Sequence, residues 1–164
     1  MAAAEINMAE LTLGPTAGRV TATDRMPTCG LAAGTLVLTL SGAVPVERVA
    51  PGDKVITRAG ARSVVAVDIA VVQNARMIRV REDILGKDRP EADTLLSPEQ
   101  PILIRDWRAK AMVGLDQAVM AAQRLADGEY IRSEDVAEAR VVTLRFADAQ
   151  VIFAAGLELV CEPA

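Results

Sequence analysis

Any chemistry in this chain must come from a short list of side chains. The 164 residues include two cysteines, Cys29 and Cys161, and no histidine. Without an imidazole, no Ser-His-Asp or Cys-His catalytic pair can form within the chain, and no imidazole metal site can be built. Two cysteines are too few for a disulfide scaffold, and their spacing matches neither a zinc nor a redox motif, so they read as reduced thiols. Basic residues gather at Arg76, Arg79, Arg81, Arg105, Arg108 and Lys110. Glu82, Asp83 and Asp106 interrupt them, which reads as a solvated mixed face rather than a surface for an anionic partner. The run Ile104-Arg105-Asp106-Trp107-Arg108 carries the sole tryptophan. That residue suits either an interaction anchor or a packed edge position.

Composition narrows the classes further. Eighteen Lys and Arg against 22 Asp and Glu leave a net charge of −4, which argues against nucleic acid as a partner. Hydrophobic residues make up 51% and charged residues 24%, the balance of a globular chain rather than a disordered one. No stretch approaches about 18 uninterrupted apolar residues, so no membrane span is expected. The first seven residues lack the basic and apolar runs of a secretory signal. The expectation is a soluble, cytoplasmic protein. Its core must be aliphatic, because Trp107, Tyr130, Phe146 and Phe153 are the only aromatic residues.

The elements that would position these side chains are mostly strands. Residues 1–27 lack a sustained period and read as a flexible N-terminal arm, with one short strand near residues 10–13. From residue 28 to 164 the texture is that of a single domain. β-prone runs at 35–40, 44–49, 54–58, 63–69, 77–81, 94–97, 102–104, 130–132, 140–146 and 151–153 are separated by Gly, Pro, Asp and Ser turns. Residues 108–125 are the one segment that could be helical. The fold class expected is all-β with little helix.

The chain also repeats itself. Residues 46–55 (VERVAPGDKV) align without a gap on residues 122–131 (AQRLADGEYI). In both, a short polar turn is closed by glycine, where positive φ costs little, and a strand follows. Residues 77–81 are echoed by residues 142–146. The pattern implies two similar halves related by a pseudo-two-fold axis.

Several blocks resemble one family. Cys29-Gly30-Leu31-Ala32-Ala33-Gly34-Thr35, followed by Val46-Glu47 and Gly52-Asp53-Lys54-Val55, is similar to the opening of Hedgehog/intein (Hint) domains. Ser97-Pro98-Glu99-Gln100 resembles their second block, a Thr/Ser-Pro-x-His followed by aliphatic residues. Gly156-Leu157 resembles the close of the bacterial Hint-like group. The resemblance implies an all-β horseshoe with internal pseudo-two-fold symmetry, and it implies no cofactor and no metal. In active members the first cysteine attacks the preceding carbonyl, turning an amide into a thioester, and a histidine of the second block donates to the departing nitrogen. Carried over residue by residue, Cys29 is the nucleophile, Thr28 carries the attacked carbonyl, and Ser97 and Gln100 stand in the second block. Gln100 occupies the histidine position and cannot deliver a proton. The only asparagines are Asn7 and Asn74, so no terminal asparagine can release the domain. The resemblance therefore implies a degenerate Hint domain without autoprocessing, serving as an interaction or scaffolding module for a protein partner. The alternative is a self-processing domain that cleaves at Thr28-Cys29. In either case Cys29 and Cys161 should lie on the same side of the molecule.

Overall fold

Strands with alternating burial, bounded by glycine turns, account for most of the chain. The structure, a computed structural model, describes residues 19–23 and 25–164. The strand expected at 10–13 lies outside the described residues. Within the segment expected to be an arm, Arg19–Thr23 forms β1 and pairs in parallel with residues 68–72 of β7 (Ala66–Val80).

Two sheets carry the fold. The first has the order β1, β7, β11 (Ile131–Arg145), β2 (Leu31–Ala32) and β8 (Thr94–Leu96). In it β8 also pairs with the end of β7, so the sheet curls back on itself. The second runs β10 (Ala118–Ala121), β9 (Pro101–Ile104), β13 (Leu157–Cys161), β12 (Gln150–Ala154), β3 (Leu36–Thr39), β5 (Lys54–Thr57) and β6 (Gly60–Ser63). β4 (Gly42–Pro45) pairs with β3 beside this path. The main core lies between the sheets and is built mostly from aliphatic residues, with Phe146 its one aromatic member among the described residues, as the composition required. No helix among the described residues is long and apolar enough to cross a membrane.

The internal repeat is present in the backbone. Val46–Arg48 and Ala122–Leu125 are both 3-10 turns entered from extended residues. Gly52 and Gly128 follow with φ of +94° and +82°. β7 and β11 then pair with each other antiparallel along their lengths, from Ile131 against Val80 to Arg145 against Ala66. Both are 15 residues long, and their central residues, Gln73 and Glu138, lie opposite each other. The Gln73 amide donates to the Glu138 carboxylate at 2.6 Å. The pseudo-two-fold axis passes between them.

Two sequence expectations change. Residues 63–69 and 77–81 read as separate strands, as did 130–132 and 140–146, but each pair belongs to one continuous strand. Period-two burial fails within β7 because Ile69-Ala70 and Met77-Ile78 are consecutively buried. The strand has a second small core on its other face, which takes Ala70, Val72 and Met77. Residues 108–125 are not one helix either. The helix α1 spans Trp107–Val113, capped by the Asp106 side chain, which accepts from the Arg108 N–H at 3.0 Å. Gly114, at φ +75°, ends it. Residues 118–121 then pair with β9 as β10.

Candidate functional site

The segment around Cys29 lies flat against β11, and Gly30 makes that approach possible. A Cβ on Gly30 would sit 2.2 Å from Val141 Cγ1, so any larger residue would push the chain away from the sheet. In this seat Cys29 is 5% exposed, while Thr28 before it reaches solvent.

Hydroxyl groups hold the carbonyls on both sides of Thr28. The Ser97 hydroxyl donates to the Pro27 carbonyl. The Thr143 hydroxyl, on β11, donates to the Cys29 carbonyl at 2.5 Å. The Ser97 N–H also donates to the Gly30 carbonyl at 3.0 Å, which ties the β8 end to the strand after the cysteine. The carbonyl between them, that of Thr28, accepts no hydrogen bond among the described residues. An attack by Cys29 would need that carbonyl polarised.

Gln100 comes into the site from the turn between β8 and β9, fixed there by its own N–H donating to the Ser97 carbonyl at 3.0 Å. Its side chain is 2% exposed. The Oε1 atom accepts from the Gly30 N–H at 2.9 Å. The Nε2 atom donates to the carbonyls of Pro101 and Val160, each at 2.9 Å. An amide NH₂ has two hydrogens, and both are committed to backbone carbonyls. None remains for the nitrogen between Thr28 and Cys29.

The two cysteines are buried together. Cys29 and Cys161 are both free thiols. With Gln100 and Thr143 they line a void of about 10 Å³, barely room for one water. Burial pushes the Cys29 thiol up to about 11, helped by the Glu162 carboxylate beside it and opposed by Arg145. Burial also pushes Cys161 up to about 12. Both are protonated at neutral pH, whereas the thiolate is the nucleophile.

All three residues named from the sequence, Cys29, Ser97 and Gln100, converge here. Cys161 lies on the same side of the molecule as Cys29. Sequence reasoning missed Thr143 and Glu162, which reach the site from 114 and 133 residues away in the chain. No local motif marks either. Trp107 is not a packed edge residue: it is 68% exposed, and the Arg108 guanidinium sits 4.7 Å from its ring centre.

The profile of a family described as Hint domain matches residues 29–162. Among solved structures, the chain is similar to a bacterial intein-like domain from Clostridium thermocellum at 18% identity and a TM-score of 0.56, covering 81% of this chain and 98% of that one. It is also similar to the gp41-1 intein at 15% identity and a TM-score of 0.53, covering 80% and 97%. For the MchDnaB-1 intein the identity is 16% and the TM-score 0.52, covering 80% and 99%. No curated protein matches the sequence. At these identities the structural likenesses speak to the fold.

Proposed function

The chain belongs to the Hint domain family, and from that premise we propose that it is a member without self-cleaving activity, acting as a protein-interaction module. The observation that carries this reading is Gln100. At the position where the family's second block has histidine, this side chain spends both N–H groups and its oxygen on backbone partners. An N-to-S acyl shift needs a thiolate, a polarised carbonyl and a proton for the departing nitrogen. Here the thiol is pushed up to about 11, the Thr28 carbonyl lacks a donor among the described residues, and Gln100 has no N–H left for the departing nitrogen. Loss of one positioned general acid costs about 10² to 10⁴ in rate.

A second reading, slow cleavage at Thr28-Cys29, draws support from one feature. Ser97 and Thr143 still hold the carbonyls on either side of the bond. Intact mass separates the two readings. The purified chain should keep residues 1–28, before and after incubation with excess dithiothreitol or hydroxylamine. A fragment beginning at Cys29, lost on Cys29→Ala, would overturn the inactive reading. Gln100→His should not restore cleavage, because the thiol and the Thr28 carbonyl are unchanged by it.

A further inference from the structure

The outer face of the second sheet carries a charge arrangement that the Cys29 site does not use. Glu158, on β13, is 2% exposed. It accepts hydrogen bonds from three guanidinium groups, Arg58 at 2.5 Å, Arg89 at 2.5 Å, and Arg105. Their side chains are 41%, 28% and 39% exposed. No other carboxylate among the described residues lies within 4.0 Å of any of the three. Three positive charges over one carboxylate leave an excess of two. Each guanidinium makes this one hydrogen bond among the described residues, out of five N–H donors available to an arginine.

Strand register sets apolar side chains on either side of that cluster. Phe153 lies directly opposite Glu158. Leu103 follows on the other side, because Leu159 pairs with Ile102 one residue away. Val119 lies opposite Leu103, and Ile56 comes next to Phe153 through the pairing of Ile152 with Thr57. Residues opposite one another share a face. Val119 is 54% exposed, and Leu103, Phe153 and Ile56 are partly exposed. The row crosses five strands, about 19 Å at about 4.8 Å per strand, the reach of about six residues of extended chain.

We propose that this row is a docking site for an acidic segment of a partner protein, an extended peptide with a carboxylate flanked by aliphatic side chains. The inference deepens the interaction-module reading and rests on it. The unspent guanidinium donors suit carboxylates, which take charge-assisted and often bidentate bonds. The apolar flanks disfavour a nucleic acid, whose sugar-phosphate backbone offers no aliphatic side chains to fill them. Face-to-face pairing of two copies would set one excess of positive charge against another.

The test uses the full chain and a fluorescein-labelled, capped hexapeptide alternating glutamate with leucine, read by anisotropy. A control peptide has glutamine at each glutamate. The acidic peptide should bind at least about tenfold tighter than the control, and rising salt should weaken it. Arg58→Gln should cost about tenfold. Val119→Glu, at an exposed position that the core does not need, should weaken binding several-fold by repulsion. Equal binding of the two peptides, or unchanged binding by both variants, would overturn the proposal. So would displacement by millimolar inorganic phosphate, which would make the site one for small anions. Tighter peptide binding after removal of residues 1–18 would give the site to this chain's own Glu5 and Glu10. Self-association lost in Arg58→Gln would give it to a second copy. A chain that cleaves itself yet binds the peptide would sink the inactive reading alone.

Discussion

Gln100, behind Cys29, and Glu158, on the outer face of β13, are buried to the same 2%. Each holds three hydrogen bonds. The partners differ. Those of Gln100 are backbone groups, and the bonds close the account of every polar atom involved. Those of Glu158 are cations that keep donors to spare and reach solvent. Equal burial and equal bond count thus produce a neutral staple in one place and a surplus of charge in the other. Partner type, rather than the buried group itself, decides whether a buried polar side chain is finished or still able to recognise something.

The largest effect should come from Glu158→Ala. Removing the carboxylate leaves three guanidinium groups facing one another, and breaking a buried ion pair from one side costs about 3 kcal/mol or more. Urea midpoints with an unchanged slope would measure it. A loss below about 1 kcal/mol would mean that water serves the arginines as well as the carboxylate does, and the contrast with Gln100 would collapse. Gln100→Ala should come next, at about 2 kcal/mol. It strands the Gly30 N–H and the carbonyls of Pro101 and Val160 in a place with little room for water. Peptide binding at the outer face should be unaffected by it.

The smallest effect should come from a third carboxylate with the same bond count. Asp127 accepts from the N–H groups of Glu129, Tyr130 and Ile131 at 2.8, 2.8 and 3.0 Å, but it is exposed. Asp127→Ala should cost under about 1 kcal/mol. The N–H of Ile131, then those of Glu129 and Tyr130, hold its carboxyl below the usual range. A depressed folded pKa contributes stability that is present above the unfolded value of about 3.9 and is lost as pH falls through the folded one. The unaltered chain and the variant should therefore converge in acid, below about pH 4. A cost as large as that of Gln100→Ala would show that bond count matters and burial does not.

Much of the frame was legible in the residues. The matched turns at 46–55 and 122–131 could be read because glycine must follow a tight turn at positive φ, wherever the surrounding chain goes. Gly114 carried the same signal, and the run beyond it still read as helix because Ala, Met and Gln favour helices until β9 claims the segment by pairing. The middle of β7 could not be read, since Gln73 and Asn74 are polar and exposed, with Asn74 at φ +49°, and they look like a turn between two strands. At the site, the position of Gln100 was visible, but its role was not. Its bond to Val160 spans 60 residues, and the Thr143 contact spans 114. The Glu158 cluster was hidden for the same reason. Its arginines come from 53, 69 and 100 residues away, and Arg105 looked like part of a mixed surface face.

The central pairing of β7 with β11 has a consequence for how the molecule is made. Every pair in that ladder joins residues from opposite halves of the chain, so it cannot begin to form until β11 itself has been made. Closing such long loops precedes any reward from the contacts, which slows folding and favours all-or-none behaviour. A fragment ending before β11 would leave the apolar residues on both faces of β7 bare, and it should aggregate rather than fold. The symmetry that looks like two independent units instead binds them into one, because neither half can complete its long strand pairing without the other.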